Sequence, residues 1–353
     1  MVDGSPTLGR DIEGRARPAV EAAIHGGRLA AAMSAYPDAR RPWMDLSTGI
    51  NPEPWAGPRA PVELLARLPD PTHIAELEAA AARAFGVMDA SRVVAVAGAE
   101  AGLRLLPQAL PIEDVAIVSP TYSGHEAAWR GRAGTVVGIA GDQVDTSAAS
   151  LLVIVNPNNP DGRAVDREAL GDLVSMRSAR GFWTVVDESF VETRSELSVA
   201  GLASDRLIVL RSFGKFYGLP GLRLGFVIAS PDVAGRLRTL QGEWPVGAEA
   251  IWMGAAAYGD TAWRVRTCAK LRDRSEALND LLGRHGLEVV GGTSLFSLVS
   301  VADAQSVFER LCRAGVLTRP FAYRADWLRL GLPRDEDFGR LDDALRAAVG
   351  GGC

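Results

Sequence analysis

Seven short apolar runs recur between residues 92 and 229, and no other feature limits the possible folds so tightly. They are Arg92–Val96, Val115–Ser119, Thr135–Ile139, Leu151–Asn156, Phe182–Asp187, Arg206–Leu210 and Leu222–Ala229. Each has strand length and is rich in branched aliphatic residues. Helical patterns at Glu100–Leu110, Tyr122–Arg130 and Arg167–Ala179 separate several of them. Buried strands alternating with helices predict a largely parallel sheet covered on both faces.

The flanks are read in the same way. The spacing of Pro61–Phe85 is helical, broken at Pro69-Asp70-Pro71, with Gly86 as the stop. Beyond Ala229 the pattern shifts to helices at Pro231–Leu240 and Thr261–Gly283, then strands at Leu287–Val290 and Phe296–Val301. A helix at Ala302–Ala314, strands at Val316–Arg319 and Trp327–Leu330, and a last helix at Asp335–Val349 complete the chain. We therefore expect an α/β protein in three parts: an N-terminal arm (1–45) joining the small domain, a large domain (46–240) and a smaller α+β domain (241–353).

Ligands of open α/β sheets lie beyond the carboxyl ends of the strands. Four ends here carry polar residues: Ala97-Gly98-Ala99-Glu100, Asn156-Pro157-Asn158-Asn159-Pro160-Asp161-Gly162, Asp187-Glu188-Ser189-Phe190, and the segment Ser212-Phe213-Gly214-Lys215. The last holds one of only two lysines, Lys215 and Lys270, among 38 basic residues. Arginine serves most solvated surfaces as well as lysine. Only lysine can shed its proton and act as a nucleophile.

A lysine amine, a strand-end acid and a phosphate cradle are what pyridoxal 5'-phosphate requires. Lys215 supplies the amine. Asp187 is placed to keep the pyridine nitrogen protonated, and Asn159 to bond the phenolic oxygen. The backbone of Gly98, Ala99 and Glu100 opens a helix and forms an anion site. Ser212 and Arg223 can reach the same phosphate, and Tyr122 can stack on the ring. Each residue alone is commonplace; their order and spacing carry the reading. Gly214-Lys215 is followed by Phe216, so it is not a Walker-type phosphate loop. Lys270, in a charged helical run, reads as a solvated surface residue.

Composition narrows the class. A net charge of -5 argues against a non-specific nucleic-acid binder. No run of about 18 apolar residues predicts a membrane span. The three cysteines lack metal or disulfide spacing. The polar start Met-Val-Asp-Gly-Ser-Pro has no apolar signal core. A cytoplasmic protein with no nucleic-acid or membrane partner is expected.

These motifs resemble the class I/II aminotransferase superfamily, the fold-type I pyridoxal-phosphate enzymes, from about His25 to Val349. That resemblance implies a large, mostly parallel sheet domain with a smaller α+β domain, and a homodimer. It assigns Lys215 to the cofactor aldehyde, Asp187 to the ring nitrogen, and Arg329 to a substrate carboxylate. Four further stretches look like the threonine-phosphate decarboxylase family of cobalamin biosynthesis: His25-Gly26-Gly27, Asp45-Leu46-Ser47-Thr48-Gly49-Ile50-Asn51-Pro52, Asp187-Glu188-Ser189-Phe190, and Gly291-Gly292-Thr293-Ser294-Leu295-Phe296.

Carried across, His25, Gly26, Gly49, Asn159, Arg319 and Arg329 contact a small phosphorylated amino acid. Gly49 stands where that family often has Asn, so its contact would come from backbone. Phe190 stands where most aminotransferases have a tyrosine donor. The residues alone serve decarboxylation or transamination of the histidinol-phosphate type, and a non-catalytic cofactor-binding or scaffold role is a third possibility. The family resemblance favours decarboxylation.

Overall fold

A computed structural model of the chain describes residues 26–145 and 147–350. They form two compact units. One runs from Glu53 to Leu271; the other joins residues up to Pro52 with those from Arg272 onward. The helix Thr261–Arg284 contains the second boundary.

The larger unit is built on seven strands: β1 (Val93–Val96), β2 (Asp114–Val118), β3 (Thr135–Ile139), β4 (Leu151–Val155), β5 (Trp183–Asp187), β6 (Leu207–Ser212) and β7 (Gly225–Ile228). Their order across the sheet is β1-β7-β6-β5-β4-β2-β3. The neighbours from β6 to β3 are parallel, whereas β7 runs antiparallel to both β1 and β6. Every residue of β1, β4 and β7 is buried, so these strands read as continuous apolar runs with no alternation.

Helices Ala99–Ala109, Gly124–Trp129 and Pro231–Gln241 pack Leu106, Trp129 and Leu237 into one core with Val94, Val153 and Ile208. Each such side chain contributes roughly 1.5–3 kcal/mol on burial. The expected break at Pro69-Asp70-Pro71 divides Val62–Leu65 from Pro71–Phe85. Asp70 is an N-cap there, accepting the Thr72 N–H at 2.8 Å, and Pro71 opens the helix where no N–H is needed. The helix Ala248–Gly259 was not anticipated.

The reversal of β7 decides the geometry of the site. Gly225, its first residue, pairs with Val96 at the end of β1 and with Ser212 at the end of β6. The segment entering β7 therefore arrives at the edge where its neighbours finish.

The smaller unit holds a four-stranded antiparallel sheet in the order Arg319–Phe321, Arg324–Gly331, Phe296–Ser300, Glu288–Thr293. Helices Ala304–Arg313 and Phe338–Val349 bury Phe308, Leu311 and Leu345. The run Val316–Arg319, expected as one strand, is divided at Thr318. Val316–Leu317 pairs in parallel with Met44–Asp45, and Arg319 begins the edge strand of the other sheet. Among the described residues, no helix is long and apolar enough to cross a membrane.

Candidate active site

In the larger unit the polar strand ends meet as follows. Gly98 sits at φ 86° between β1 and the helix Ala99–Ala109. A Cβ there would lie 2.6 Å from Nη2 of Arg223, and one at Gly225 would fall on the Ala99 amide. Glycine at both places lets the strand, the helix N-terminus and the arginine close up. The first turn of that helix leaves N–H groups without intrahelical acceptors, which suits an anion. Arg223 itself adopts φ 53°, rare for a side-chain-bearing residue. Its Nη1 donates to the Pro220 carbonyl at 3.1 Å. The Glu100 carboxylate is engaged elsewhere, accepting from Arg104 Nε at 2.8 Å and from the Tyr122 hydroxyl at 3.1 Å.

Asp187 ends β5 and is buried. Its side-chain hydrogen-bond partner is distant in sequence: His125 Nε2 lies 3.0 Å from Asp187 Oδ2. Burial pushes the carboxyl up, but the His125 hydrogen bond, the charges of His125 and Lys215, and the Ser189 hydrogen bond outweigh it and hold the group at about 2. Asp187 is thus a carboxylate throughout the neutral range.

Lys215 lies on the single turn Phe213–Phe216, half-buried. Its Nζ donates to Ser212 Oγ at 3.5 Å and lies 4.9 Å from the centre of the Phe190 ring. The turn after β4 is locked by two asparagines. Asn156 bonds Val165 at both its amide atoms, and Asn158 bonds Pro120, Thr121 and Asp161. Asn159, between them and Gly162, is also buried, at 9% exposure.

Behind this edge, Arg211 donates to Glu188 at 2.8 Å and to Glu192 at 2.5 Å, with all three side chains buried. Burial opposes its charge, yet the two carboxylates win and raise the guanidinium above its ordinary range.

The remaining expected residues lie in the smaller unit. Arg319 and Arg329 are register partners on adjacent antiparallel strands. Arg329 is 3% exposed, donates to the Ser47 carbonyl at 2.8 Å, and lies over the Phe296 ring at 5.0 Å. Burial, then the like charge of Arg319, pushes Arg329 well below its usual range. Ser47 bonds Asp45 and accepts the Gly27 N–H at 2.8 Å, and a Cβ at Gly26 would fall on the Ser47 carbonyl. Gly49 is buried two residues on. Stretches far apart in sequence, around Gly26, Ser47, Phe296 and Arg329, thus converge on one arginine. His25 lies outside the described residues.

His125, the buried partner of Asp187, is the candidate residue that the sequence reading does not single out. Its only signal was its place in Tyr122-Ser123-Gly124-His125, three residues beyond the tyrosine already singled out. Lys270 pairs with Glu53 at 2.7 Å and is half exposed, as a surface lysine should be.

Residues 44–345 match the family Aminotransferase class I and II. The chain is 39% identical to the threonine-phosphate decarboxylase of Sinorhizobium sp over 330 residues, covering 91% of this chain and 97% of that protein. It is 38% identical to the threonine-phosphate decarboxylase of Pseudomonas aeruginosa over 326 residues, covering 91% and 96%. Its fold is similar to that of histidinol-phosphate aminotransferase from Sinorhizobium meliloti in complex with pyridoxal-5'-phosphate, with a TM-score of 0.79 at 18% identity, covering 94% of this chain and 97% of that one.

Proposed function

The chain belongs to the class I and II aminotransferase family, and from that premise we propose that it decarboxylates L-threonine O-3-phosphate. The products are carbon dioxide and (R)-1-aminopropan-2-yl phosphate, for use in cobalamin biosynthesis. The near full-length match to two threonine-phosphate decarboxylases carries this reading.

The residues present fit pyridoxal 5'-phosphate. The absence of a Cβ at Gly98 makes room for the Arg223 guanidinium, and its absence at Gly225 makes room for the Ala99 amide. Ser212 and the first-turn N–H groups of Ala99 and Glu100 complete an anion cradle, and Asp187 is held ionised to face a protonated ring nitrogen. When bound, the cofactor supplies an electron sink for the pair left on the substrate α-carbon.

The chain's own residues do the rest. His125 orients the Asp187 carboxylate and keeps it charged. Tyr122 would flank the cofactor ring, and Asn159 would donate to its phenolic oxygen. Lys215 would hold the cofactor through its aldehyde, and its amine would return a proton to the substrate α-carbon. Arg319 and Arg329 bind the substrate's phosphate and carboxylate: they are register partners on adjacent strands, and a bound anion would offset the burial and the like charge that disfavour the Arg329 cation. Gly26 and Gly49 contribute backbone contacts, and His25 belongs to the same substrate set.

We also infer a cytoplasmic homodimer. A groove of about 380 Å³ in the larger unit is lined by Leu64, Leu68, Pro69, Ile251, Trp252 and Ala255. Leu65 and Leu68 beside it are 53% and 66% exposed, a surface that a second copy of the chain would cover.

The test is an end-point assay of cofactor-loaded protein with L-threonine O-3-phosphate, scoring carbon dioxide and aminopropanol phosphate, with Lys215→Ala as blank. Product from the wild type alone supports the reading. Glutamate from histidinol phosphate and 2-oxoglutarate, without carbon dioxide, would replace it with transamination.

A further inference from the structure

The turn that carries Lys215 is too short to hold itself in place. Phe213–Phe216 is a single helical turn, and isolated turns are unstable in water. Gly218, at φ 66°, then takes the chain out of the helix. Its position must come from packing, and the packing is aromatic.

Phe213, Phe216 and Tyr217 are all essentially inaccessible to solvent. Tyr217 stacks on Phe213 with ring centres 4.4 Å apart and planes 11° from parallel. Trp263 stacks on Tyr217 at 5.5 Å and 11°, and meets Phe216 edge-on at 5.5 Å and 77°. The rings two residues before Lys215, one after and two after are therefore tied, directly or through Tyr217, to one indole.

The indole is fixed in turn. Asp260 accepts the Trp263 backbone N–H at 3.0 Å and the Trp55 indole N–H at 3.2 Å. The Trp55 backbone N–H donates to the Tyr217 carbonyl at 2.9 Å. Tyr217, Trp55, Asp260 and Trp263 form a closed circuit around the lysine turn. The hydrogen bond from Trp263, then that from Trp55, holds the Asp260 carboxyl below its usual range, so it stays an acceptor for both.

We propose that Trp263, held by Asp260 and Trp55, is a positioning residue that fixes the direction in which the Lys215 stem leaves its turn. This rests on the decarboxylase reading, in which the lysine amine must meet the substrate α-carbon to return a proton. The stem is flexible, so the fold controls the amine only through the placement of the turn. A displacement of roughly 1 Å at such a step can cost on the order of a hundredfold in rate. The residues assigned to substrate binding lie elsewhere, so the clamp acts on kcat and not on KM.

The test compares Trp263→Leu, which removes the stacking ring, with Trp263→Phe, which keeps one. The first readout is kcat and KM for L-threonine O-3-phosphate with the loaded enzyme. The second needs neither cofactor nor turnover: acetylation of Lys215 relative to Lys270 in the cofactor-free chain, read by peptide mass. With only two lysines in the chain, Lys270 is the internal standard.

Trp263→Leu is expected to lower kcat about tenfold or more with KM nearly unchanged. It should also raise Lys215 labelling relative to Lys270, and Trp263→Phe should restore most of both. Wild-type kcat and labelling in Trp263→Leu would overturn the proposal, as would equal damage to kcat and KM that phenylalanine fails to rescue. If Trp263→Leu does not fold, Asp260→Asn makes the same comparison with every ring in place. If the wild type is inactive on this substrate, the decarboxylase reading falls and the labelling ratio alone decides the clamp.

Discussion

His125 Nε2 lies 3.0 Å from Asp187 Oδ2, and both side chains are buried. The pair joins the helix Gly124–Trp129 to the end of β5 at the point where the cofactor ring nitrogen is expected. Replacing His125 by Phe leaves a buried carboxylate short of a donor, which costs about 1–3 kcal/mol. Cofactor affinity should fall about tenfold, while His125→Asn, which keeps an N–H donor, should lose less. Absorbance titration of the cofactor-free protein measures both; wild-type affinity in His125→Phe would contradict the assignment.

Asp187 also sets a pH dependence. Its folded pKa, about 2, lies below the 3.8 of an unperturbed aspartate. A depressed carboxyl contributes stability that is fully present above the unfolded value and is lost as pH falls through the folded one. The loss should run from about pH 4 down to about pH 2 and amount to roughly 2 kcal/mol. Urea denaturation of cofactor-free wild type and Asp187→Asn across that range checks it, and the variant should lack this part of the slope.

Arg211 lies next to Ser212 on β6 and points to the opposite face of the sheet. Its ion pairs with Glu188 and Glu192 are buried, so Arg211→Met strands two carboxylates. A loss of about 3–5 kcal/mol in unfolding free energy is expected. Converting the carboxylates as well, in Arg211→Met/Glu188→Gln/Glu192→Gln, should recover part of it. Equilibrium denaturation of the two variants makes the comparison.

Arg319 and Arg329 belong to the smaller unit, and the proposed cofactor residues to the larger one. Arg329→Met should raise KM for L-threonine O-3-phosphate at least about tenfold, because a buried charged hydrogen bond to an anion is lost. Arg319→Met should do the same. Cofactor affinity should hardly change in either. Steady-state kinetics beside an absorbance titration separates the two effects.

Much of this was readable in the sequence because its signals are local. The seven strands showed themselves as apolar runs, and the polar residues at their ends marked Asp187 and Lys215. Arg223 is different: its spacing from Lys215 suggests a shared phosphate, but the reversal of β7 that brings it to the strand ends cannot be read from spacing. Ala248–Gly259 escaped notice because it is apolar around most of its circumference and shows no helical alternation. Met44–Asp45 is too short to give a pattern at all. His125 was hidden because its meaning depends on a partner 62 residues away, brought close by parallel strands.

The central claim is that the bond broken at the α-carbon is the one to the carboxylate, and it can be tested with substrate deuterated at that carbon. L-threonine O-3-phosphate carrying deuterium at Cα would be turned over in ordinary water and the products read by mass spectrometry. Decarboxylation predicts carbon dioxide and an aminopropanol phosphate that retains the deuterium and gains one solvent proton at the same carbon. Loss of the deuterium to solvent, with a keto acid formed and no carbon dioxide, would contradict the account.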